Sequence, residues 1–129
     1  MLYCGSCHCG AIAFEVEAPD TIVAQDCNCS ICAKAGFLHL IVPKSKFRLL
    51  RGADAITTYA FNTGAASHTF CKVCGIKPFY TPRSNPDGID VNVRCLDTQP
   101  IRLTIEPFDG QNWEANAASL SHLSDEDRG

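Results

Sequence analysis

A mostly β fold of short antiparallel strands, arranged as an open sandwich or barrel, is predicted by three features of the sequence. Apolar and polar residues alternate with period two in several short stretches, turn residues recur about every ten positions, and no stretch sustains a helical period. Size and composition agree. With 129 residues, 46% of them hydrophobic and 19% charged, the chain suits one globular domain over residues 1–129 and is too apolar to be disordered.

The elements follow in order. Residues 11–17 place Ile12, Phe14 and Val16 on one face and Ala13, Glu15 and Glu17 on the other, and Pro19-Asp20 ends the strand. Residues 37–42 are apolar on both faces and read as a buried strand closed by Pro43. Residues 47–50, 57–61 and 67–71 are further strands, set apart by Lys44-Ser45-Lys46, Arg51-Gly52-Ala53-Asp54 and Asn62-Thr63-Gly64. After Cys74-Gly75, residues 76–80 pair back as a strand, and the loop at 82–88 is rich in turn residues. Ile89, Val91 and Val93 then alternate with Asp90, Asn92 and Arg94, and Ile101, Leu103 and Ile105 alternate with Arg102 and Thr104. Residues 112–120 suit a short helix.

Charge and hydropathy exclude several roles. Eleven Lys and Arg against fourteen Asp and Glu give a net charge of −3, with no basic surplus to neutralise a phosphate backbone, so nucleic acid is excluded as the expected partner. The acidic excess falls late and includes a tail at about residues 121–129 that reads as a solvated end. The longest near-apolar run, residues 37–42, is broken by His39 and is far too short to cross a bilayer. The first ten residues lack the basic start and apolar stretch of a secretory signal. A cytoplasmic protein with no membrane partner is the expectation.

Nine cysteines carry the chemistry. Seven fall in three clusters, Cys7-x-Cys9, Cys27-x-Cys29-x-x-Cys32 and Cys71-x-x-Cys74, with Cys4 and Cys95 apart. In a reducing compartment close cysteines point to metal or catalysis rather than disulfides, and an odd count leaves one thiol over under any pairing. The Cys-x-x-Cys spacing followed by Gly75 suits a tight turn whose sulfurs converge on an ion. Seven thiols divide as four plus three: Cys7, Cys9, Cys71 and Cys74 around one zinc that staples distant segments, and Cys27, Cys29 and Cys32 around a second with one position open. Spacing alone leaves alternatives. Cys4 could pair with Cys7 or complete the second set, and four of the nine thiols could carry an iron–sulfur cluster.

The strings Gly5-Ser6-Cys7-His8-Cys9-Gly10, Cys27-Asn28-Cys29-Ser30-Ile31-Cys32 and Phe70-Cys71-Lys72-Val73-Cys74-Gly75 resemble, in order and spacing, the glutathione-dependent formaldehyde-activating enzyme family, which also contains the centromere protein V domain. The likeness continues through residues 91–97 and 108–114 and covers about residues 5–114. It implies a compact zinc-pinned β fold with a structural zinc on Cys7, Cys9, Cys71 and Cys74 and a catalytic-type zinc on Cys27, Cys29 and Cys32. It also implies the activity: a carbon–sulfur lyase read in reverse, condensing formaldehyde with glutathione.

Elementary chemistry supports that expectation. A free thiol has a pKa of about 8.5 and is mostly protonated at neutral pH, whereas coordination to zinc removes the proton. As sulfur adds to an aldehyde, the aldehyde oxygen needs a proton; His39, His68 and Tyr80 are candidate donors, and Arg94 could stabilise the developing charge. Each also has a plain structural reading, as a satisfied histidine, a core tyrosine or a surface arginine. Cys95, in register with Val91 and Val93, reads as a buried hydrophobe and Cys4 as a frayed-end thiol; His8 points away from the metal. Trp113 and the phenylalanines read as core, with an aromatic beside the second zinc able to wall a small-aldehyde pocket. The alternative function is a non-catalytic zinc-binding protein-interaction module. A thiol or water as the fourth ligand of the second zinc favours the enzyme, and a fourth protein sulfur favours the module.

Overall fold

The computed structural model describes residues 1–61, 64 and 66–125; the predicted turn residues 62 and 63 and tail residues 126–129 lie outside the described residues. The described chain runs β1 (Leu2–Ser6), β2 (Ala13–Glu17), β3 (Thr21–Cys27), α1 (Ser30–Ala35), β4 (Leu38–Pro43), β5 (Phe47–Arg51), β6 (Ile56–Tyr59), β7 (His68–Cys71), β8 (Phe79–Tyr80), β9 (Gly88–Asn92), β10 (Arg102–Phe108) and α2 (Trp113–Asn116). Three open sheets result, ordered β1-β2-β5, β10-β3-β4-β9-β8 and β6-β7. All pairings are antiparallel except β3 with β10, which run parallel from Thr21 opposite Arg102 to Cys27 opposite Phe108.

The core lies between the first two sheets. Ile12, Phe14 and Val16 are fully buried, as their alternation predicts, and meet Ile22, Leu40, Val42 and Val91 from the five-stranded sheet. Phe14 stacks on Phe47 at 5.5 Å and meets Phe79 edge-on at 5.7 Å. Each such fully buried apolar side chain contributes about 1.5–3 kcal/mol. All six residues of β4 are buried, as the unbroken apolar run predicts, because the sheet is covered on both faces.

The second face of that sheet is the unusual one. Leu38, Leu40 and Val91 point into the core, which sends His39, Ile41, Asp90 and Asn92 to the opposite side, through the pairings His39 with Asn92 and Ile41 with Asp90. His39, Asp90 and Asn92 are buried nonetheless, with Asp90 only 1% exposed. Strand β9 therefore alternates between an apolar core and a buried polar site.

Several expectations need correcting. Strands β1 and β3 and helix α1 were not anticipated, and Cys4 is no frayed end: it sits in β1 opposite Glu15. Of residues 76–80 only Phe79–Tyr80 is a strand, since Pro78 has no N–H to offer a ladder. Strand β9 stops at Asn92, whose side chain accepts from the Arg94 amide and winds Val93–Cys95 into a 3₁₀ turn, so Cys95 is half-buried outside the strand. Ile101, Leu103 and Ile105 are exposed on the sheet edge rather than packed inside. Residues 110–124 wind as a 3₁₀ turn, α2 and a second 3₁₀ segment, and Ser124 is buried against Asn85 and Asp87, so the solvated end does not begin before Asp125.

Candidate functional site

Cys7 and Cys9 lie in the turn between β1 and β2, which closes through the Cys7 amide on the Ile12 carbonyl at 3.1 Å. Cys71 ends β7, and Cys74 follows in a turn completed by Gly75, whose φ of 79° is left-handed and suits glycine. The four sulfurs all lie within 4.8 Å of one another. Backbone amides aim at them: Ile12 donates to Cys7 Sγ at 3.3 Å, and Val73 and Cys74 donate to Cys71 Sγ at 3.4 and 3.5 Å. The sulfurs compete for negative charge. The Cys9 amide and then that of Ile76 oppose desolvation and bring Cys74 down to about 6. At Cys9 the Ala11 amide favours the thiolate, but desolvation and the sulfurs of Cys7, Cys71 and Cys74 outweigh it and push the thiol up to about 11. A bound cation removes that competition, and this group could hold a metal ion.

The second cluster forms where β3 meets α1. Cys27 ends β3, Cys29 caps α1 with its sulfur accepting from the Cys32 amide at 3.4 Å, and Cys32 lies in the first turn. Gly36 closes the helix in the left-handed region. The parallel pairing of β3 and β10 delivers Phe108 opposite Cys27, so residues 109–112 wrap over the cysteine loop. Asn28 clasps them: its amide donates to Phe108 O, its Nδ2 to Asp109 Oδ1, and its Oδ1 accepts from the Gln111 amide. A Cβ on Gly110 would stand 2.4 Å from Cys27 Sγ, so the wrap closes this tightly only because residue 110 is glycine. Hydrogen bonds from the Cys27 and Cys32 thiols hold the Cys29 thiol well below its ordinary range, while sharing with Cys29 raises Cys27 and sharing with Cys27 and Cys29 raises Cys32. Ligand atoms of Cys27, Cys32 and His39 lie within 4.8 Å of one another, so this group too could hold a metal ion.

Around the sulfurs stands a buried polar shell. His39 Nδ1 donates to Asp90 Oδ2 at 2.5 Å, and Tyr80 Oη lies 3.5 Å from the same nitrogen. Burial first, then the Asp90 charge and the cysteine sulfurs, raise the Tyr80 phenol well above its usual range, so it keeps its proton at neutral pH. Lys77 Nζ sits 3.8 Å over the Tyr80 ring and donates to His68 Nδ1 at 2.8 Å, and burial lowers its own pKa. A cavity of about 260 Å³ opens here, walled by Phe61, Phe108 and Trp113 and floored by the cysteines.

Burial and the neighbouring Lys77 charge push His68 down to about 4, although the Cys29 sulfur acts the other way. Its folded pKa lies below the ordinary histidine value of 6.5, so the unfolded chain binds this proton more readily. The stability that His68 contributes is complete above about pH 6.5 and is lost as pH falls through about 4. In histidine NMR at pH 5.5, His68 is expected to remain neutral with Nδ1 unprotonated; a charged imidazolium there would contradict the Lys77 contact.

Of the residues singled out from sequence, Cys7, Cys9, Cys71 and Cys74 converge as one group; Cys27 and Cys32 converge with His39, with Cys29 beside them at the helix cap but outside that converging set, and His68 and Tyr80 line the same cavity. Arg94 does not: it is exposed on the 3₁₀ turn after β9, away from the cavity. His8 is exposed, as expected. Asp90, Lys77 and Gly110 were not anticipated as site residues. Asp90 was hidden in an ordinary alternating strand, and Lys77 carried no sequence signal. Gly110 belongs to the string at 108–114 that marked the resemblance.

Comparison with known proteins adds to this geometry. The model of the family described as glutathione-dependent formaldehyde-activating enzyme matches residues 2–114. A protein of Halomonas elongata, provisionally named as such an enzyme, is 32% identical over a match covering 57% of this chain and 52% of that protein, about half its length. A Rhodobacter sphaeroides protein of known crystal structure is 37% identical and superposes with a TM-score of 0.68, covering 80% of this chain and 99% of that one.

Proposed function

The chain belongs to the glutathione-dependent formaldehyde-activating enzyme family, and on that premise we propose that it is a carbon–sulfur lyase run towards bond formation, adding the thiol of glutathione to a small aldehyde such as formaldehyde. Residues 1–129 act as one zinc-binding domain with two ions, a structural one on Cys7, Cys9, Cys71 and Cys74 and a catalytic-type one on Cys27, Cys29 and Cys32. The observation that carries this reading is the placement of the second cysteine group at the floor of a cavity of about 260 Å³, beside groups that hold and pass protons.

The residues fit zinc. Sulfur-rich donor sets suit it, four sulfurs converge within 4.8 Å at the first group, and the missing Cβ of Gly110 clears space for Cys27 Sγ at the second. When bound at the second group, zinc supplies charge that favours the thiolate form of a nearby sulfur. The chain's own residues do the rest. The aromatic walls exclude water from the aldehyde, and Cys29 holds negative charge at the helix cap. As the carbon–sulfur bond forms, the carbonyl electron pair moves to oxygen, which takes the proton of the Tyr80 hydroxyl; Tyr80 then regains one from solvent, which balances the proton the thiol released on binding. The Tyr80 hydroxyl lies against the His39–Asp90 pair.

Calorimetry tests this reading. Glutathione is expected to bind with release of one proton, counted by titrating in buffers of different ionisation enthalpy, and with affinity rising with pH below the free thiol's pKa of about 8.5. An analogue with oxygen in place of sulfur is expected to bind far more weakly. Equal binding of the two, or binding of neither at millimolar concentration, defeats the thiol-addition reading and leaves the non-catalytic interaction module. A cytoplasmic location is part of the proposal: all nine cysteines are free, and among the described residues no helix is long and apolar enough to cross a membrane.

A further inference from the structure

Among the described residues, the buried side-chain nitrogen and oxygen atoms without a hydrogen-bond partner are His39 Nε2 and Asp90 Oδ1. They belong to one pair. Buried polar atoms are almost always satisfied, so two orphans on one pair mark a place where a partner is missing. His39 is 5% exposed and is the second residue of β4, whose backbone there pairs with Gln25 of β3 on one side and Asn92 of β9 on the other. Its Nδ1 is committed as the donor to Asp90 Oδ2, which fixes the tautomer and leaves the Nε2 lone pair free. A ligand atom of this imidazole lies within 4.8 Å of both Cys27 Sγ and Cys32 Sγ, and Nε2 is the nitrogen still able to coordinate. A carboxylate that accepts from one histidine nitrogen while the other meets a metal is a recurrent arrangement, in which the carboxylate orients the ring and raises its basicity.

We propose that His39, oriented by Asp90, is a protein ligand of the ion at the second cysteine group, coordinating through Nε2 alongside the cysteine sulfurs. The inference rests on the reading of that group as a metal centre and assigns its nitrogen ligand. His39 then fills the position that the cysteines leave, and an incoming thiol reaches the ion by taking that position.

The test uses the full chain with uniformly nitrogen-15-labelled histidine, loaded with two equivalents of cadmium-113. A cadmium–nitrogen scalar coupling to Nε2 of His39, assigned by its loss in His39→Gln, is expected from the second ion and from none of His8, His68 or His122. Two bound ions with no coupling to any imidazole nitrogen overturn the assignment, and that measurement needs no variant to fold. Asp90→Asn is expected to weaken the second ion by about 10- to 100-fold in chelator competition while leaving the first unchanged. Unchanged affinity for the second ion overturns the role given to Asp90. Adding glutathione separates this inference from the function it rests on. If the coupling persists at saturating glutathione, His39 is a ligand and thiol addition at this ion fails; if it vanishes as the thiol binds, both stand.

Discussion

Cys71→Ser is expected to leave the protein largely unfolded at 25 °C. Cys71 is fully buried, and its sulfur receives two backbone amides and lies 3.7 Å from Cys9 Sγ. The four-sulfur group joins the β1–β2 turn to the end of β7, and β6 and β7 form a two-stranded sheet that is marginal alone. Among the described residues the other polar and ring ties of that hairpin to the rest are the bridge from Ser67 to Thr81, the Thr69 hydroxyl on Phe79 O, and His68, which accepts from Lys77 and stacks on Tyr80. Binding of a structural zinc, of order 10–16 kcal/mol in small peptides, is folding energy where the unfolded chain has no formed site. Losing even about 5 kcal/mol of it would exhaust the stability of a marginal domain, about 5–15 kcal/mol. The check is urea unfolding followed by circular dichroism, with a strong chelator on the parent as a parallel route to the same state. Cys4→Ser, on an exposed thiol in β1, is expected to unfold at nearly the parent's midpoint. A Cys71→Ser midpoint close to the parent's would mean that the four sulfurs carry no structural ion.

What could be read from the sequence divides along physical lines. Strands with one face in the core announce themselves by alternation, and Ile12, Phe14 and Val16 are buried as their spacing requires. Helix α1 is six residues long, too short to show a period, although Gly36 at its end was a legible stop signal. Strand β3 was obscured because Val23, on its exposed face, is as apolar as Ile22 on the buried one. Strand β10 misled for a related reason: its alternating pattern suggested a covered face, yet it forms a sheet edge beyond the reach of the core. The two cysteine pairs of the first group are legible because short spacings bring the sulfurs of each pair together locally, although Cys9 and Cys71, whose sulfurs meet, are far apart in the chain. In the shell of the second group, His39, His68 and Tyr80 are legible only as candidate donors, and Asp90 not at all, because Tyr80 and Asp90 meet His39 through pairings across forty or more residues. Nothing at position 90 distinguishes a carboxylate bound for solvent from one bound for a buried histidine. Only the pairing of Ile41 with Asp90 decides it.

Gly110→Ala is expected to disable the second cysteine group while sparing the fold. The added Cβ would stand 2.4 Å from Cys27 Sγ, 3.0 Å from Cys29 Cβ and 3.4 Å from the Cys29 amide; the first distance is closer than such atoms pack, and the second is tight enough that Cys29 must give by a few tenths of an ångström. Backbone strain plays no part, since Gly110 is not among the glycines with positive φ. Two adjustments are open, and both damage the site. Either Cys27 Sγ moves away from the other sulfurs, or residues 109–112 lift off the cysteine loop and give up the clasp on Asn28. Overpacking of this kind costs about 1–3 kcal/mol, so the variant should fold, keep the first ion and lose several degrees of melting temperature. Its affinity for the second ion is expected to fall by about 100-fold or more, roughly 2.7 kcal/mol, and glutathione binding should go with it. Gly36→Ala makes the informative contrast. Gly36 has a φ of 67° with nothing within 4 Å of its Cβ position, so that change strains the helix end without crowding a sulfur. It should lower stability and leave the second ion bound at nearly the parental affinity. If Gly110→Ala holds both ions as tightly as the parent, the close approach of residue 110 to Cys27 does not shape the site.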